Sequence, residues 1–274
     1  MPDWGVGGGD GTAWESSALT TATGIQAIAS ATVNVKGPWV TLLAATARDG
    51  DWLLVNMVSP GLASASYLID IAIGAAGAEM VVIPNILFAT GTAFSNGAQI
   101  TMPMTIPAGS RISARLQCSV ASGTFKFVAL VGSASWSGYP AIGGPATDYG
   151  ANTATSKGAL IDTGATINVK GAWTQLSAAT TSEASWLIVC LGTNSQPIAG
   201  SIFVSFDIGV GGAGVEQVLV SHICGILNSS VDVVFPCMVV IPVALPRGVR
   251  LVARASSNTT TAADRLFTVV VIGV

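Results

Sequence analysis

The chain has 274 residues, of which only 9% are charged, and its formal net charge at pH 7 is −3. Globular domains usually carry about 25% charged residues, whereas the apolar fraction here, 50%, is ordinary. These values exclude a disordered chain, which combines low hydrophobicity with high charge, and argue against nucleic acid as a partner because no Lys/Arg cluster is present to follow a phosphate backbone.

The missing charge is replaced by small residues, and this composition favours a surface that is buried against other subunits. A free, highly soluble monomer usually has a surface with about a quarter or more of charged residues. No apolar stretch reaches the ~20 residues that a spanning helix needs, so we expect no membrane association. The first residues lack the basic and apolar regions of an export signal, so we expect no such signal.

The sequence repeats itself over a long distance. Residues 31–39 return as residues 165–173, with seven of nine positions identical. The match continues at slowly growing offsets, from 134 residues at Trp52 and Trp186 to 141 at the closing segments. Solenoid repeats are about 20–50 residues long, so this longer period predicts two homologous domains.

The predicted organisation follows from this duplication. A glycine-rich N-terminal arm covers residues 1–22, and a first β-sandwich domain covers 23–133. A Gly/Pro/Ser linker covers 134–156, and a second β-sandwich domain covers 157–274. Each domain is large enough to bury a core of its own.

The predicted elements are almost all strands, because helical periodicity is nearly absent and short Val, Ile, Thr and aromatic runs lie between turn residues. In the first domain we predict strands near 32–36, 39–45, 51–58, 66–74, 79–89, 99–107, 110–120 and 124–132. In the second we predict them near 166–170, 173–179, 185–192, 202–211, 216–227, 233–243, 249–257 and 265–273. Eight short strands per unit predict an all-β protein of two tandem jelly-roll-like sandwiches.

Prolines mark the sixth predicted strand of each unit and the turn that follows it. Pro103 and Pro107 lie there in the first unit, and Pro236, Pro242 and Pro246 in the second. Proline removes a hydrogen-bond donor from the sheet. We therefore predict that this strand lies at a sheet edge or contains bulges.

The charged residues kept by both copies form a small set. Asp70 and Asp207 match, as do Glu79 and Glu216. Two arginines also match in each copy; the resulting structural ion-pair candidates are Asp70, Arg111, Arg115, Asp207, Arg250 and Arg254. We interpret them as cross-strand ion pairs that fix register or a subunit contact. The alternative is a carboxylate pair for acid–base chemistry or a carbohydrate site.

Three motifs that could indicate an enzyme lack the context that each needs. Residues 209–214 match G-x-G-x-x-G, but a strand-like segment follows, so we predict a hairpin turn instead of a dinucleotide site. His222 is the sole histidine, which we interpret as a partly buried structural residue because neither a metal site nor a catalytic triad is complete around it. We therefore predict no catalytic, cofactor-binding or metal site, and a protein that is not an enzyme.

The cysteines and aromatic residues carry two further expectations. Cys118, Cys190, Cys224 and Cys237 are shared unequally between the copies, which favours reduced, buried thiols over a disulfide framework. Aromatic residues on the glycine-rich segments are candidates for partner docking, and they are Trp4, Trp14, Trp136, Tyr139 and Tyr149. The alternative is that these segments fold back on their own domains.

The tandem sandwiches, the glycine-rich arm and the low charge resemble bacteriophage virion proteins of the capsid decoration or cement, head spike and tail accessory types. The turn Ile-Pro-Ala-Gly-Ser-Arg-Ile at 106–112 is similar to segments of such proteins, and 245–250 repeats it as Leu-Pro-Arg-Gly-Val-Arg. This resemblance implies a non-enzymatic, oligomeric structural protein without a cofactor. It would be assembled in the host bacterial cytoplasm and attached to the capsid or tail through its arm and low-charge faces. Its partners would be further copies of itself and other virion proteins. The alternative is a lectin-like sandwich that binds a surface glycan during host attachment.

Overall fold

The structure is a computed structural model, and it describes residues 13–17, 24–61, 64–90, 98–133, 146–193, 201–228, 233–235, 238–261 and 266–274. Within these ranges the chain forms 19 strands and no helix, so none of its described elements is a helix that could span a membrane. The fold is all-β, with two tandem β-sandwich domains, as the sequence predicts.

The first domain is built from nine described strands in two antiparallel sheets. They are β1 (Ala13–Ser16), β2 (Ile25–Ile28), β3 (Val40–Leu43), β4 (Gly50–Pro60), β5 (Ser66–Ile73), β6 (Met80–Ala89), β7 (Ala98–Ile106), β8 (Ile112–Cys118) and β9 (Thr124–Ser133). The front sheet has the order β3–β8–β5–β6. The back sheet has the order β1–β9–β4–β7, with β2 also paired to β9.

The second domain repeats this arrangement strand by strand. Its strands are β10 (Thr147–Tyr149), β11 (Ala159–Asp162), β12 (Thr174–Ser177), β13 (Ala184–Thr193), β14 (Ser201–Val210), β15 (Gln217–Asn228), β16 (Val233–Phe235), β17 (Met238–Leu245), β18 (Leu251–Ser257) and β19 (Leu266–Gly273). Its front sheet is β12–β18–β14–β15–β16, and its back sheet is β10–β19–β13–β17 with β11 paired to β19. Among the described strands, β16 is the one addition to the shared plan.

Most predicted strands are present, and the differences have local causes. The predicted strands at 32–36 and 166–170 are loops, because Asn34 and Asn168 both adopt a left-handed conformation with φ 60°, which interrupts an extended chain. The short strands β1, β2, β10 and β11 were not predicted; four residues or fewer give too little alternation to recognise. The single strand predicted near 233–243 is present as β16 and β17, which belong to different sheets. The proline-bearing strands β7 and β17 end their sheets, and their pairing shifts register near Pro103 and Pro242, which confirms that prediction.

Parts of the predicted arm and linker belong to the back sheets. Ala13–Ser16 pair with β9, and Thr147–Tyr149 pair with β19. This pairing satisfies backbone groups that an unpaired edge would leave exposed. The rest of the arm (1–12 and 18–22) and residues 134–145 of the linker lie outside the described residues.

Each domain has a hydrophobic core between its two sheets. In the first, Tyr67 of the front sheet packs edge-on against Phe125 of the back sheet, with ring centroids 5.2 Å apart. In the second, Phe206 and Phe267 make the same kind of contact at 6.1 Å. These contacts identify the inward faces, so Leu68 and Asp70, which alternate with Tyr67 along β5, point outward from the front sheet.

The two domains are stacked, with the back sheet of the second domain on the front sheet of the first. Ile188 and Ile272 of this back sheet are fully buried and belong to the core cluster of the first domain, whereas Leu187 belongs to the core of the second. Within this contact, a Cβ on Gly192 would lie only 3.0 Å from Cδ2 of Leu87. The outward faces of these two sheets therefore form an apolar interface within one chain.

Polar contacts border this interface. Gln117 Nε2 donates hydrogen bonds to Thr153 O (2.8 Å) and Ser156 Oγ (3.0 Å). Ser156 Oγ in turn donates to Asn34 Oδ1 at 2.8 Å. These bonds fix the orientation of the stacked domains, because hydrogen bonds at the rim of an apolar contact are directional.

Candidate functional site

An ionic cluster centred on Asp70 lies on the outward face of the first front sheet. The Asp70 side chain is only 5% exposed and contacts Lys36 Nζ at 2.7 Å and Arg115 Nε at 2.9 Å. The backbone N–H of Asn85 donates a third hydrogen bond to Oδ1 at 2.9 Å. The carboxylate is thus surrounded by two cations and one amide.

Strand pairing places these groups. Asp70 in β5 lies directly opposite Arg115 in β8. On its other side the β5–β6 register shifts between Ile69 and Ile71, and Asn85 there adopts a left-handed φ of 48°. A bulge of this kind redirects backbone groups, and here it turns the Asn85 N–H toward the carboxylate.

The second domain contains the same cluster around Asp207. Its side chain is 4% exposed and contacts Lys170 Nζ at 2.9 Å and Arg254 Nε at 3.0 Å. The third donor is the backbone N–H of His222 (3.1 Å), again at a left-handed position with φ 57°. The His222 side chain is exposed, so our interpretation of it as partly buried is wrong. The contribution of this residue to the cluster is its backbone N–H, which the left-handed conformation directs toward Asp207.

A tryptophan supports each cluster. Arg115 lies over the ring of Trp39, and Arg254 over that of Trp173, both at 4.3 Å from the centroid. A guanidinium over an aromatic face is attracted by the ring quadrupole. Each arginine is therefore held by an acid on one side and an aromatic ring on the other.

These contacts explain why the segment 31–39 returns as 165–173. Gly171 must be a glycine because a Cβ there would lie 2.5 Å from Asp162 O; the same conflict, with Ile28 O, arises at Gly37. The segment also supplies the left-handed asparagine, the lysine and the tryptophan of each cluster. Sequence reasoning missed Lys36 and Lys170, although both stand in the best-matched segment of the chain.

A second ion pair accompanies each cluster. Arg111 Nη1 contacts Glu79 Oε1 at 2.8 Å, and Arg250 Nη1 contacts Glu216 Oε1 at 2.9 Å. Arg111 Nε also donates to Thr41 Oγ1 at 2.9 Å. The structure thus brings each of the four predicted arginines into contact with an acid kept by both copies, and both predicted aspartates into contact with an arginine.

The electrostatics keep Asp207, Glu79 and Glu216 ionised. Burial alone would raise the pKa of Asp207, but hydrogen bonds from Lys170, the His222 N–H and Arg254 outweigh it and leave the pKa below its ordinary value. A hydrogen bond from its arginine lowers the pKa of Glu79 and of Glu216. A carboxylate engaged in this way is a poor proton acceptor, so the geometry fits ion pairing better than acid–base chemistry.

One acid at the contact between the domains has a raised pKa instead. Burial raises the pKa of Asp148, although a hydrogen bond from Asn85 and the charge of Lys36 lower it in part. Burial likewise lowers the pKa of Lys36, against the opposing effect of Asp70. The stacked domains thus place an acid beside the first cluster at an electrostatic cost.

The two remaining motifs are turns. Thr46 Oγ1 donates to Pro107 O at 2.8 Å and accepts the Ser110 N–H at 3.0 Å, which locks the 106–112 turn; Thr180 does the same for the second copy, donating to Pro246 O at 2.6 Å and accepting the Val249 N–H at 3.1 Å. Residues 211–216 connect β14 to β15. The G-x-G-x-x-G sequence is therefore followed by a strand, as a hairpin requires.

The aromatic docking candidates are mostly not placed. Trp4, Trp136 and Tyr139 lie outside the described residues, and Trp14 is a residue of β1 in register with Gly132. Tyr149 is only 4% exposed and packs in the second core. Our expectation that Tyr149 binds a partner is corrected, because β10 pairs with β19 and turns this side chain inward.

The thiol prediction is also corrected in part. Cys118 and Cys190 are buried, but Cys224 is exposed, because the front face of the second domain carries no covering domain. Burial raises the pKa of the Cys118 thiol. Cys237 lies outside the described residues.

An open depression occupies the front face of the second domain, next to the Asp207 cluster. Its lining includes Asn168, Phe203, Ser205, His222 and Cys224, and Phe203 is 56% exposed. In the part of the chain that is described, no group of three or more His, Cys, Asp or Glu side chains could hold a metal ion.

Comparisons with known proteins find a structural similarity but assign no family. No protein-family model and no curated protein matches the chain. Among solved structures, it is similar to the N-terminal CBM22-1–CBM22-2 tandem domain of Paenibacillus barcinonensis Xyn10C, at 12% sequence identity and a TM-score of 0.29, over 96% of this chain and 90% of that one. A likeness this weak carries no argument about function.

Proposed function

We propose that this chain is a non-enzymatic structural protein of a bacteriophage particle, oligomeric, and attached to the capsid surface or the tail. The observation that carries the proposal is that many of the few charged residues form ion pairs inside the protein. At least ten of the 25 charged residues are engaged in six ion pairs within the protein's own sheets. Few charges then remain for the surface.

The exposed apolar side chains support the same proposal. Phe203, Val215 and Met80 are more than half exposed, on a chain that has only 9% charged residues to keep it soluble. Surfaces of this kind associate with other proteins. The phage assignment is the narrower part of the proposal, and it is supported by the sequence resemblance alone.

Particle composition tests the assignment. Phage particles from a lysate of the host are purified by density gradient and probed with an antibody against the chain. We expect the protein to co-purify with particles and gold label to lie on the capsid or tail. Its absence from purified particles, together with its presence in the soluble fraction, would refute the proposal.

A truncation tests attachment through the arm. Deletion of residues 1–12 preserves β1, which begins at Ala13, whereas deletion of 1–22 would also remove a strand of the back sheet. We expect the shorter truncation to keep the circular dichroism spectrum and melting temperature but to lose incorporation into particles. Incorporation at the wild-type level would show that attachment does not use these residues.

Carbohydrate binding is a second candidate function, favoured by the depression on the second domain. Phe203 presents an exposed ring beside Asn168 and His222, and sugar recognition combines apolar ring faces with nearby hydrogen-bonding groups. A glycan array probed with wild type and Phe203→Ala tests it. Binding that the substitution abolishes would support the lectin-like function, and an empty array would leave the structural role as the sole proposal.

A further inference from the structure

We propose that the front face of the second domain binds the back face of the first domain of a second copy, so that copies join head to tail. This inference deepens the proposed function, since it names the surface and the partner for oligomer formation. It is argued from the contact that the chain already makes between its own domains.

The contact within the chain provides the template. Ile188 and Ile272 on the back face of the second domain belong to one core cluster with Leu68 and Leu87 on the front face of the first, and Gly192 lies against Leu87. Because both domains share one strand plan, each also possesses the face that its neighbour uses. Among the residues that the structure describes, two faces are left over: the front of the second domain and the back of the first.

The strand positions of the unused front face correspond one to one with those of the covered front face, although the side chains differ. Leu68 pairs with Leu87 across β5 and β6, and Ser205 pairs with Cys224 across β14 and β15. In the first domain both leucines are fully buried, whereas Cys224 is exposed. The exposed Phe203 lies on this same unused face.

The unused back face also matches its covered counterpart. Leu53 pairs with Val131, as Leu187 pairs with Gly273, so Leu54 occupies the position of Ile188. Ile188 is fully buried by the contact, but Leu54 is only half-buried. The first domain thus has a partly exposed apolar side chain at the position where the second domain has a fully buried one.

Side-chain size differs between the covered and the unused faces. Within the chain, Gly192 faces the large Leu87, and a Cβ on Gly192 would already lie 3.0 Å from it. On the unused front face, the smaller Cys224 stands at the position of Leu87. On the unused back face, the β4–β9 register shifts after Met57, so Val58, which follows Met57, is the extra residue of a bulge beside the strand position of Gly192. A larger Val58 beside a smaller Cys224 would conserve the packed volume that a close contact requires.

The symmetry of such a contact is heterologous, because two different faces meet. Repeating it produces a ring if the rotation closes and a filament if it does not. Each copy uses one front face and one back face, so every copy except those at the ends has two neighbours.

Disulfide trapping tests the contact in the full-length chain. In Val58→Cys, the new thiol is expected to face the native Cys224 of the next copy. Mild oxidation should then yield dimers and larger multimers on a non-reducing gel, at least tenfold above wild type and reversible with reductant. Two controls accompany it. Val215→Cys places a more exposed thiol (wild-type Val215 is 72% exposed and Val58 39%) on a hairpin away from both faces, and Val58→Cys/Cys224→Ser removes the partner thiol.

The outcomes separate this inference from the proposed function. Multimers in Val58→Cys that both controls lack, with peptide mapping of a disulfide between the introduced thiol of one chain and Cys224 of another, support it. Multimer yields equal to the controls, a Cys224–Cys224 link, or a link within one chain would each overturn it. If no disulfide-linked multimers form although the protein is present in purified particles, this surface is rejected and the proposed structural role is unaffected.

A substitution on the other face checks the result without oxidation. Phe203→Asp places a charge on the front face of the second domain, where the side chain is exposed and its change leaves the core intact. We expect at least tenfold weaker self-association in sedimentation velocity, with an unchanged melting temperature of the dissociated chain. Unchanged self-association would contradict the inference.

Discussion

Removal of the Asp207 carboxylate is the most direct test of the duplicated clusters. In Asp207→Ala, three hydrogen bonds disappear, from Lys170 Nζ (2.9 Å), Arg254 Nε (3.0 Å) and the His222 N–H (3.1 Å). The two cations are left facing each other and Trp173 without an anion. Lys170 and Arg254 retain 17% and 31% exposure, so water compensates in part.

The expected loss of stability follows from this geometry. Removing one member of a buried ion pair costs about 3–5 kcal/mol, and the partial exposure of both cations places this case near the lower end, at about 3 kcal/mol. For a domain of this size such a loss lowers the melting temperature by about 10 °C. Calorimetry and urea unfolding measure both quantities, and Arg254→Ala with the double variant gives the coupling between the two residues.

The pH dependence provides an independent check of the sign. Because the pKa of Asp207 is lowered in the folded state, its stabilising contribution is complete above the unfolded-state pKa and is lost as the pH falls through the folded-state value. The difference between wild type and Asp207→Ala should therefore shrink below about pH 4. A loss under 1 kcal/mol at pH 7, or a difference that grows in acid, would refute the reasoning.

Three further predictions concern other features. Asp148→Asn should raise the melting temperature at neutral pH, because burial raises the pKa of this acid and its ionised form opposes folding; the gain should vanish below the unfolded-state pKa, and a gain independent of pH in calorimetry would contradict it. Gly171→Ala should destabilise by about 2 kcal/mol or more in urea unfolding, since its Cβ would lie 2.5 Å from a backbone oxygen, whereas Gly212→Ala meets only a side chain at 3.4 Å and should be neutral. Thr180→Val should cost about 1–3 kcal/mol because two turn hydrogen bonds are lost, and equal stability by thermal melting would show that the turn forms without them.

The duplication made much of the fold predictable from sequence. Asp70 and Arg115 were recognised as candidates for cross-strand ion pairs because each has a counterpart in the second copy. The position of β7 followed from Pro103, since a missing donor has few places in a sheet. The first inference comes from comparing the two copies, and the second from the chemistry of one residue; neither requires the long-range pairing of strands to be known.

Other features depend on long-range register and were not predictable in this way. The closing strands match at an offset of 142, as the equivalent pairs Leu53–Val131 and Leu187–Gly273 require, rather than 141; one residue decides which face is buried. The stacking of the domains was missed, although β13 is apolar on both faces, with Leu187 in one core and Ile188 in the other. A strand with two apolar faces indicates a second covering layer, and that signal could have been used.

The position of β9 has a consequence for how the first domain acquires its structure. This strand is the last of the domain, yet it lies inside the back sheet and pairs with β1, β2 and β4. The edge strands β1 and β2 therefore pair with a strand that lies roughly a hundred residues later in the chain. Such non-local pairing slows folding to the millisecond-to-second range. On the ribosome, the earlier strands emerge with no completed sheet to join, so this domain is expected to fold late and in one cooperative step.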